Sequence, residues 1–177
     1  DWKVQKNMET GKGEKGFKVI HFKQAFHGRT GYTLSLTNTS DPRKTMYFPK
    51  FDWPRVDNPF LRFPITNEVI DEVKLKEATT IGQIKDAIAA NPDDIAALII
   101  EPIQGEGGDH QFRDEFFVQL RQICDENDII YILDEVQTGI GITGKMWAHE
   151  HYSVKPDVIS FGKKTQVCGA LAGSRID

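Results

Sequence analysis

Four short, almost unbroken apolar runs constrain this chain more than any other feature of its sequence. They lie at 18–22 (KVIHF), 96–100 (AALII), 129–133 (IIYIL) and 157–161 (DVISF). A strand with one wet face alternates apolar and polar residues; near-continuous runs of this length belong to parallel strands covered on both faces. Helical patterns separate them. Thr80 precedes a segment, 81–90, with apolar residues at 81, 84, 87 and 88, and Pro92 stops it. From 113 to 127, Phe116, Phe117, Leu120, Ile123 and Cys124 fall on one stripe at i, i+3, i+4 spacing. Strand, helix, strand in repetition gives an α/β fold: a mostly parallel sheet with helices on both faces.

At 177 residues, without repeats, low-complexity tracts or a Gly/Ser linker, the chain reads as one domain, 1–177. The stretch 38–64, rich in Pro, Asp and aromatics, has no period and reads as a long irregular excursion of the kind that borders a site or an interface. Residues 1–7 look like the tail of a helix already under way, and 171–177 like a strand just leaving a turn, so both ends read as cut. A net charge of −4 with scattered Lys and Arg gives no footprint for nucleic acid or an anionic membrane. Two distant cysteines, Cys124 and Cys168, make neither a disulfide framework nor a CxxC metal site, which points to a reducing, cytoplasmic setting. No apolar run reaches the ~18–20 residues of a membrane span.

In open α/β sheets ligands bind at the carboxyl ends of the strands. Here those ends carry 24–29 (QAFHGR), 101–108 (EPIQGEGG), 134–139 (DEVQTG) and 162–165 (GKKT). Three chemistries compete for that edge. Residues 139–144 spell G-x-G-x-x-G, but five residues separate the strand from the first glycine, where a dinucleotide site needs direct entry, so a flexible loop is the plainer reading. His149 and His151 are two apart, on different faces of a helix, and His21, His27 and His110 sit on separate segments, which suits packing or surface roles better than a metal. Pyridoxal 5'-phosphate needs a lysine for a Schiff base, an acid for its ring nitrogen and an aromatic cover. Lys163 after the fourth strand, Asp134 at the end of the third and Phe26 after the first have those chemistries. Each also has a plain alternative: a solvated lysine, a Mg²⁺-ordering Asp without the P-loop it would need, and a core Phe.

Five segments, AFHGRT (25–30), FPKFDWP (48–54), EPIQGEGGD (101–109), LDEVQTG (133–139) and FGKK (161–164), resemble those of class III aminotransferases in order and spacing. Two more, GYTLSLTNT (31–39) and SFGKKTQVCG (160–169), resemble lysine 6-aminotransferases in particular. The resemblance implies part of the large domain of a fold type I enzyme, with pyridoxal 5'-phosphate on Lys163 and Lys164 as a structural neighbour. It implies that Asp134 pairs with the ring nitrogen, Gln137 with the phenolic oxygen, and that Val136 and Phe26 cover the two ring faces. Arg29 would grip a substrate carboxylate, Glu106 would mask an arginine from a later segment, and Glu101 would support the site. The reaction implied takes the terminal amine of L-lysine to 2-oxoglutarate in a homodimer, with 4-aminobutyrate or ornithine as alternative donors. The rest of the site would lie outside these residues, leaving the chain alone inactive or a domain that only folds.

Overall fold

The computed structural model describes residues 1–176. Its elements run α1 (Trp2–Glu9), β1 (Lys18–Phe22), α2 (Gly31–Leu36), β2 (Arg55–Val56), α3 (Asn67–Ala90), β3 (Ile95–Ile100), β4 (Ile103–Gln104), α4 (Gly105–Gly108), β5 (His110–Gln111), α5 (Asp114–Glu126), β6 (Ile130–Asp134), β7 (Val158–Phe161) and β8 (Gly169–Ala172), with 3-10 turns at Pro42–Lys44 and Ala148–His151. All four apolar runs are strands, shifted by one residue or less at either end. The main sheet has the order β2-β1-β3-β6-β7-β8, parallel throughout except for the antiparallel β7–β8 hairpin.

Because successive strand residues face opposite sides, Ile20, Phe22, Leu98, Ile100, Tyr131 and Leu133 point one way. They form the core with Ile81 and Ile84 of α3 and with Phe116, Phe117, Leu120, Ile123 and Cys124 of α5. On the other face α2 lies against β1 with Leu34 and Leu36 buried. Coverage thins toward the β7 side: the fourth apolar run is only half-buried, and β8 is largely exposed.

One helix is much longer than its pattern announces. α3 begins at Asn67, capped by the Thr66 hydroxyl accepting from the Val69 amide at 3.3 Å, with Glu68 in the first turn where the helix dipole favours it. Thr80, read as the residue before the helix, is inside it and buried. The inward stripe is Val73, Glu77, Thr80, Ile81 and Ile84, so two of its five positions are polar. Glu77 is tolerated there because Arg113 Nε, at the start of α5, donates to it at 2.9 Å. At the other end of the sheet, Lys3 on α1 donates from Nζ to the carbonyls of Asn127 and Asp128 at 3.3 and 2.9 Å, tying the N-terminal helix to the turn after α5.

The excursion at 38–64 is irregular apart from one 3-10 turn and the two residues of β2. Two of its aromatics, Phe51 and Trp53, stack at 4.9 Å, and Tyr32 of α2 stacks on Phe51 at 5.1 Å, the rings nearly parallel.

Candidate functional site

The parallel order places the ends of β1, β3, β6 and β7 along one edge, and there they enclose a cavity of about 440 Å³. Among its walls are Phe26, Glu101, Asp134, Val136, Gln137 and Lys163, which the sequence brings from four separate segments.

Its floor is built by the sheet register. Asp134 and Ser160 are partners across the β6–β7 ladder, so the Ser160 hydroxyl donates to Asp134 Oδ1 at 2.8 Å. The Val136 amide adds a second bond to Oδ1 at 3.1 Å. His27 Nδ1 lies 2.7 Å from Oδ2, with both side chains almost fully buried. Burial works against the Asp134 charge, but the His27 bond and charge and the two Oδ1 donors outweigh it and hold the carboxyl below its ordinary range. The sequence suits His27 to a packing or surface role; the structure makes it the main partner of Asp134. Its position directly after Phe26, at a strand's carboxyl end, was the available signal.

Glu101 sits one residue past β3 and joins two loops: its oxygens accept from the Phe26 amide at 2.9 Å and the Gly105 amide at 3.3 Å. That fixes the backbone carrying the Phe26 ring. Burial pushes its acid up to about 7, with the Asp134 carboxylate adding to the rise and His27 and the two amides opposing it. Opposite, Lys163 leaves β7 after Gly162, where a methyl group would meet Cys168 Sγ at 2.9 Å; only glycine lets the β7–β8 turn close this tightly. Lys164 donates to the Gln137 carbonyl, so the two adjacent lysines separate, one lining the cavity and one bracing its wall.

Arg29 and Glu106 are not in the cavity wall. Arg29, between the wall residues Gly28 and Thr30, is exposed and donates from Nη2 to the Lys44 carbonyl at 3.3 Å. Glu106 Oε1 accepts from Lys44 Nζ at 2.8 Å, and Lys44 with Lys163 nearby holds its carboxyl below the ordinary value. Both therefore stand on the rim, bridged by Lys44, a residue of the excursion that the sequence did not single out. The loop carrying Glu106 is locked down by Gln104, which donates from Nε2 to the Lys23 carbonyl at 3.0 Å, and by Gly107, where any side chain would collide with the Gln24 carbonyl.

Neither competing chemistry gains from the geometry. The glycines at 139–144 lead into turns and the Ala148–His151 3-10 turn, not a helix able to cradle a pyrophosphate. His149 Nδ1 contacts buried Glu135 at 2.9 Å, whereas His151 Nε2 contacts the Thr143 carbonyl at 3.0 Å, so the two rings serve different partners. Cys124 and Cys168 are both free thiols. Among the described residues no helix is long and apolar enough to cross a membrane.

Comparison with known proteins gives the same fold. Residues 1–175 match the aminotransferase class-III family. The chain is 51% identical over its full length to the L-lysine-epsilon aminotransferase of Mycobacterium tuberculosis, of which it covers 39%. To that of Streptomyces clavuligerus it is 46% identical, covering 38%. A solved lysine aminotransferase from M. tuberculosis in the internal aldimine form superposes with a TM-score of 0.94 at 50% identity, all of this chain on 40% of that one. The chain thus spans about two fifths of the length of the relatives it matches. It belongs to the class-III aminotransferases.

Proposed function

We propose that the protein is a pyridoxal 5'-phosphate dependent aminotransferase that takes the terminal amine of L-lysine and delivers it to 2-oxoglutarate. The observation that carries this reading is the meeting of Lys163, Asp134, Phe26, Val136 and Gln137 on one cavity. Support for the lysine donor comes from the relatives of that activity.

The residues fit the cofactor on chemical grounds. A carboxylate kept charged in a buried floor suits a protonated ring nitrogen, since a buried charge is costly without a cation opposite. Asp134 would hold that nitrogen, Phe26 and Val136 the two faces of the ring, Gln137 the phenolic oxygen, and Lys163 the aldehyde carbon. When bound, pyridoxal phosphate supplies an electron sink beside the carbon that gives up its proton. Lys163, with its amine free once substrate is attached, would be the base placed to take that proton and return it to the former aldehyde carbon on the other side of the shared nitrogen. Arg29 on the rim offers a forked guanidinium to the substrate's distant carboxylate, a two-point contact that lysine cannot make. Glu106, exposed and already paired with a cation, is suited to exchanging Lys44 for another positive partner. A homodimer and a cytoplasmic location belong to the same proposal.

The test is to add pyridoxal phosphate to the intact polypeptide that carries this chain, reduce with borohydride and map the labelled peptide. A single label on Lys163, lost in Lys163→Ala, together with amine transfer from L-lysine to 2-oxoglutarate, is the expected result. Labels scattered over surface lysines would overturn the cofactor site. Faster transfer from 4-aminobutyrate or ornithine would keep the site and replace the donor.

A further inference from the structure

Arg29 and Glu106, the two groups of the rim, are tied to opposite ends of a single residue. The Lys44 carbonyl accepts from Arg29 Nη2 at 3.3 Å, and Lys44 Nζ donates to Glu106 Oε1 at 2.8 Å. Lys44 closes the Pro42–Lys44 3-10 turn, which is fixed on both sides. Asp41 Oδ1 accepts from the Arg43 amide at 3.1 Å, and the Thr45 and Met46 amides donate to the Pro42 carbonyl at 3.0 and 2.8 Å. Neighbouring cations are engaged elsewhere: Arg43 forks onto Asp41, and Lys50 Nζ donates to the Thr45 carbonyl at 2.7 Å. Among the described residues, Lys44 is therefore the cation of the excursion that pairs with Glu106.

We propose that Lys44 is a specificity-determining residue: by neutralising Glu106 it lets the rim admit a dicarboxylate, so that one cavity takes both an amino donor and a dicarboxylate acceptor. The proposal rests on the function proposed above. Charge separates the two substrates. With its terminal amine at Lys163, L-lysine has one ammonium and one carboxylate left, which cancel. 2-Oxoglutarate brings two carboxylates and no cation. Arg29, Lys44 and Glu106 together are two cations and one anion, a balance that favours the dicarboxylate. Without the Lys44 charge, Arg29 faces an unneutralised Glu106, which repels 2-oxoglutarate and draws the free ammonium of L-lysine. The backbone beside Glu106 stays in place through this change. The Gly105 amide donates to Glu101 at 3.3 Å, and Gly107 is pressed against the Gln24 carbonyl. Both side chains of the Lys44–Glu106 pair are about 40% exposed, at 41% and 39%, so water screens the effect and keeps it modest.

The experiment measures kcat/KM separately for L-lysine and for 2-oxoglutarate on the intact polypeptide with pyridoxal phosphate bound. Calorimetry then reads the binding of glutarate, which has both carboxylates but no ketone, without turnover. In Lys44→Met, kcat/KM for 2-oxoglutarate falls by about three- to fivefold, the worth of one exposed ion pair, and glutarate binding weakens in parallel. The value for L-lysine rises, an opposite sign that a damaged fold cannot give. Lys44→Arg stays within about twofold of the unmodified protein, and Lys44→Glu shifts the ratio further than Lys44→Met. Both substrates falling together, or a ratio that follows the size of residue 44 and not its charge, would make Lys44 merely structural. An unchanged ratio would remove it from substrate selection. Each of these overturns the proposal and leaves the proposed function standing. If unmodified protein moves no amine from L-lysine, that function itself fails and this inference falls with it.

Discussion

The floor and the rim of the same cavity are built on opposite principles. In the floor, Asp134, His27 and Glu101 are withdrawn from water, and each carboxyl oxygen is assigned to a particular donor. On the rim, Arg29 and Glu106 are exposed and Lys44 is half-buried, with one contact from each to the next. Water screens the rim charges and makes their pairings exchangeable, whereas in the floor a lost partner leaves an uncompensated charge. The floor is therefore built to hold one arrangement, and the rim to exchange partners.

Four substitutions separate these regions, starting from the wall between them. On the proposed function, Lys163→Ala would remove both the point of attachment and the proton carrier, with transfer from L-lysine expected to fall by about 10²–10⁴-fold in steady-state assays. Asp134→Ala strands His27, Ser160 and the Val136 amide, and chemical denaturation will register a loss of about 3–5 kcal/mol. A loss as small as that of a surface pair would erase the distinction drawn here.

Glu101 gives the pH signature of the floor. Its acid is raised from an ordinary 4.5 to about 7, so its contribution to stability is fully present below about 4.5 and disappears as pH climbs through about 7. Asp134 has the opposite sign: held below its ordinary 3.8, it stabilises above that value and the benefit is lost as pH falls through its lower folded value. In Glu101→Gln the first slope vanishes, and between pH 4.5 and pH 8 the variant gains on the order of 3 kcal/mol relative to the unmodified protein. Denaturation curves across that interval with no difference in slope would mean Glu101 is solvated like a rim group. The smallest effect belongs to Lys44→Met, expected to cost less than about 0.5 kcal/mol, and less still in about 0.5 M salt.

The parts legible in the sequence are those where each residue type has one physical preference. Unbroken apolar runs have nowhere to go but a covered sheet, so the strands were found nearly to the residue. The strand-end rule then gathered Phe26, Glu101, Asp134, Val136, Gln137 and Lys163 onto one edge. What escaped was pairwise. The first half of α3 has Glu77 on its inward face, which looks like an exposed residue until Arg113, 36 positions away, supplies its partner. His27 and Asp134 are 107 residues apart, and nothing in the periodicity of either segment announces the other. Lys44 lies in a stretch with no period at all.

Glu135 also gathers partners its sequence position does not advertise. Its carboxylate accepts from the Thr138 hydroxyl at 2.8 Å and the Ala148 and His149 amides at 2.7 and 2.9 Å, while its carbonyl accepts from the Gly139 amide at 2.9 Å. The Ile140 amide closes onto the Met146 carbonyl at 2.7 Å just beyond. The segment 141–144 is thus a tip beyond two clasps, pinned to the 3-10 turn by His151 Nε2, which contacts the Thr143 carbonyl at 3.0 Å. With open space around Gly141 and Gly144 and none of its residues in the cavity wall, that tip is a place to insert a peptide epitope or a fluorophore.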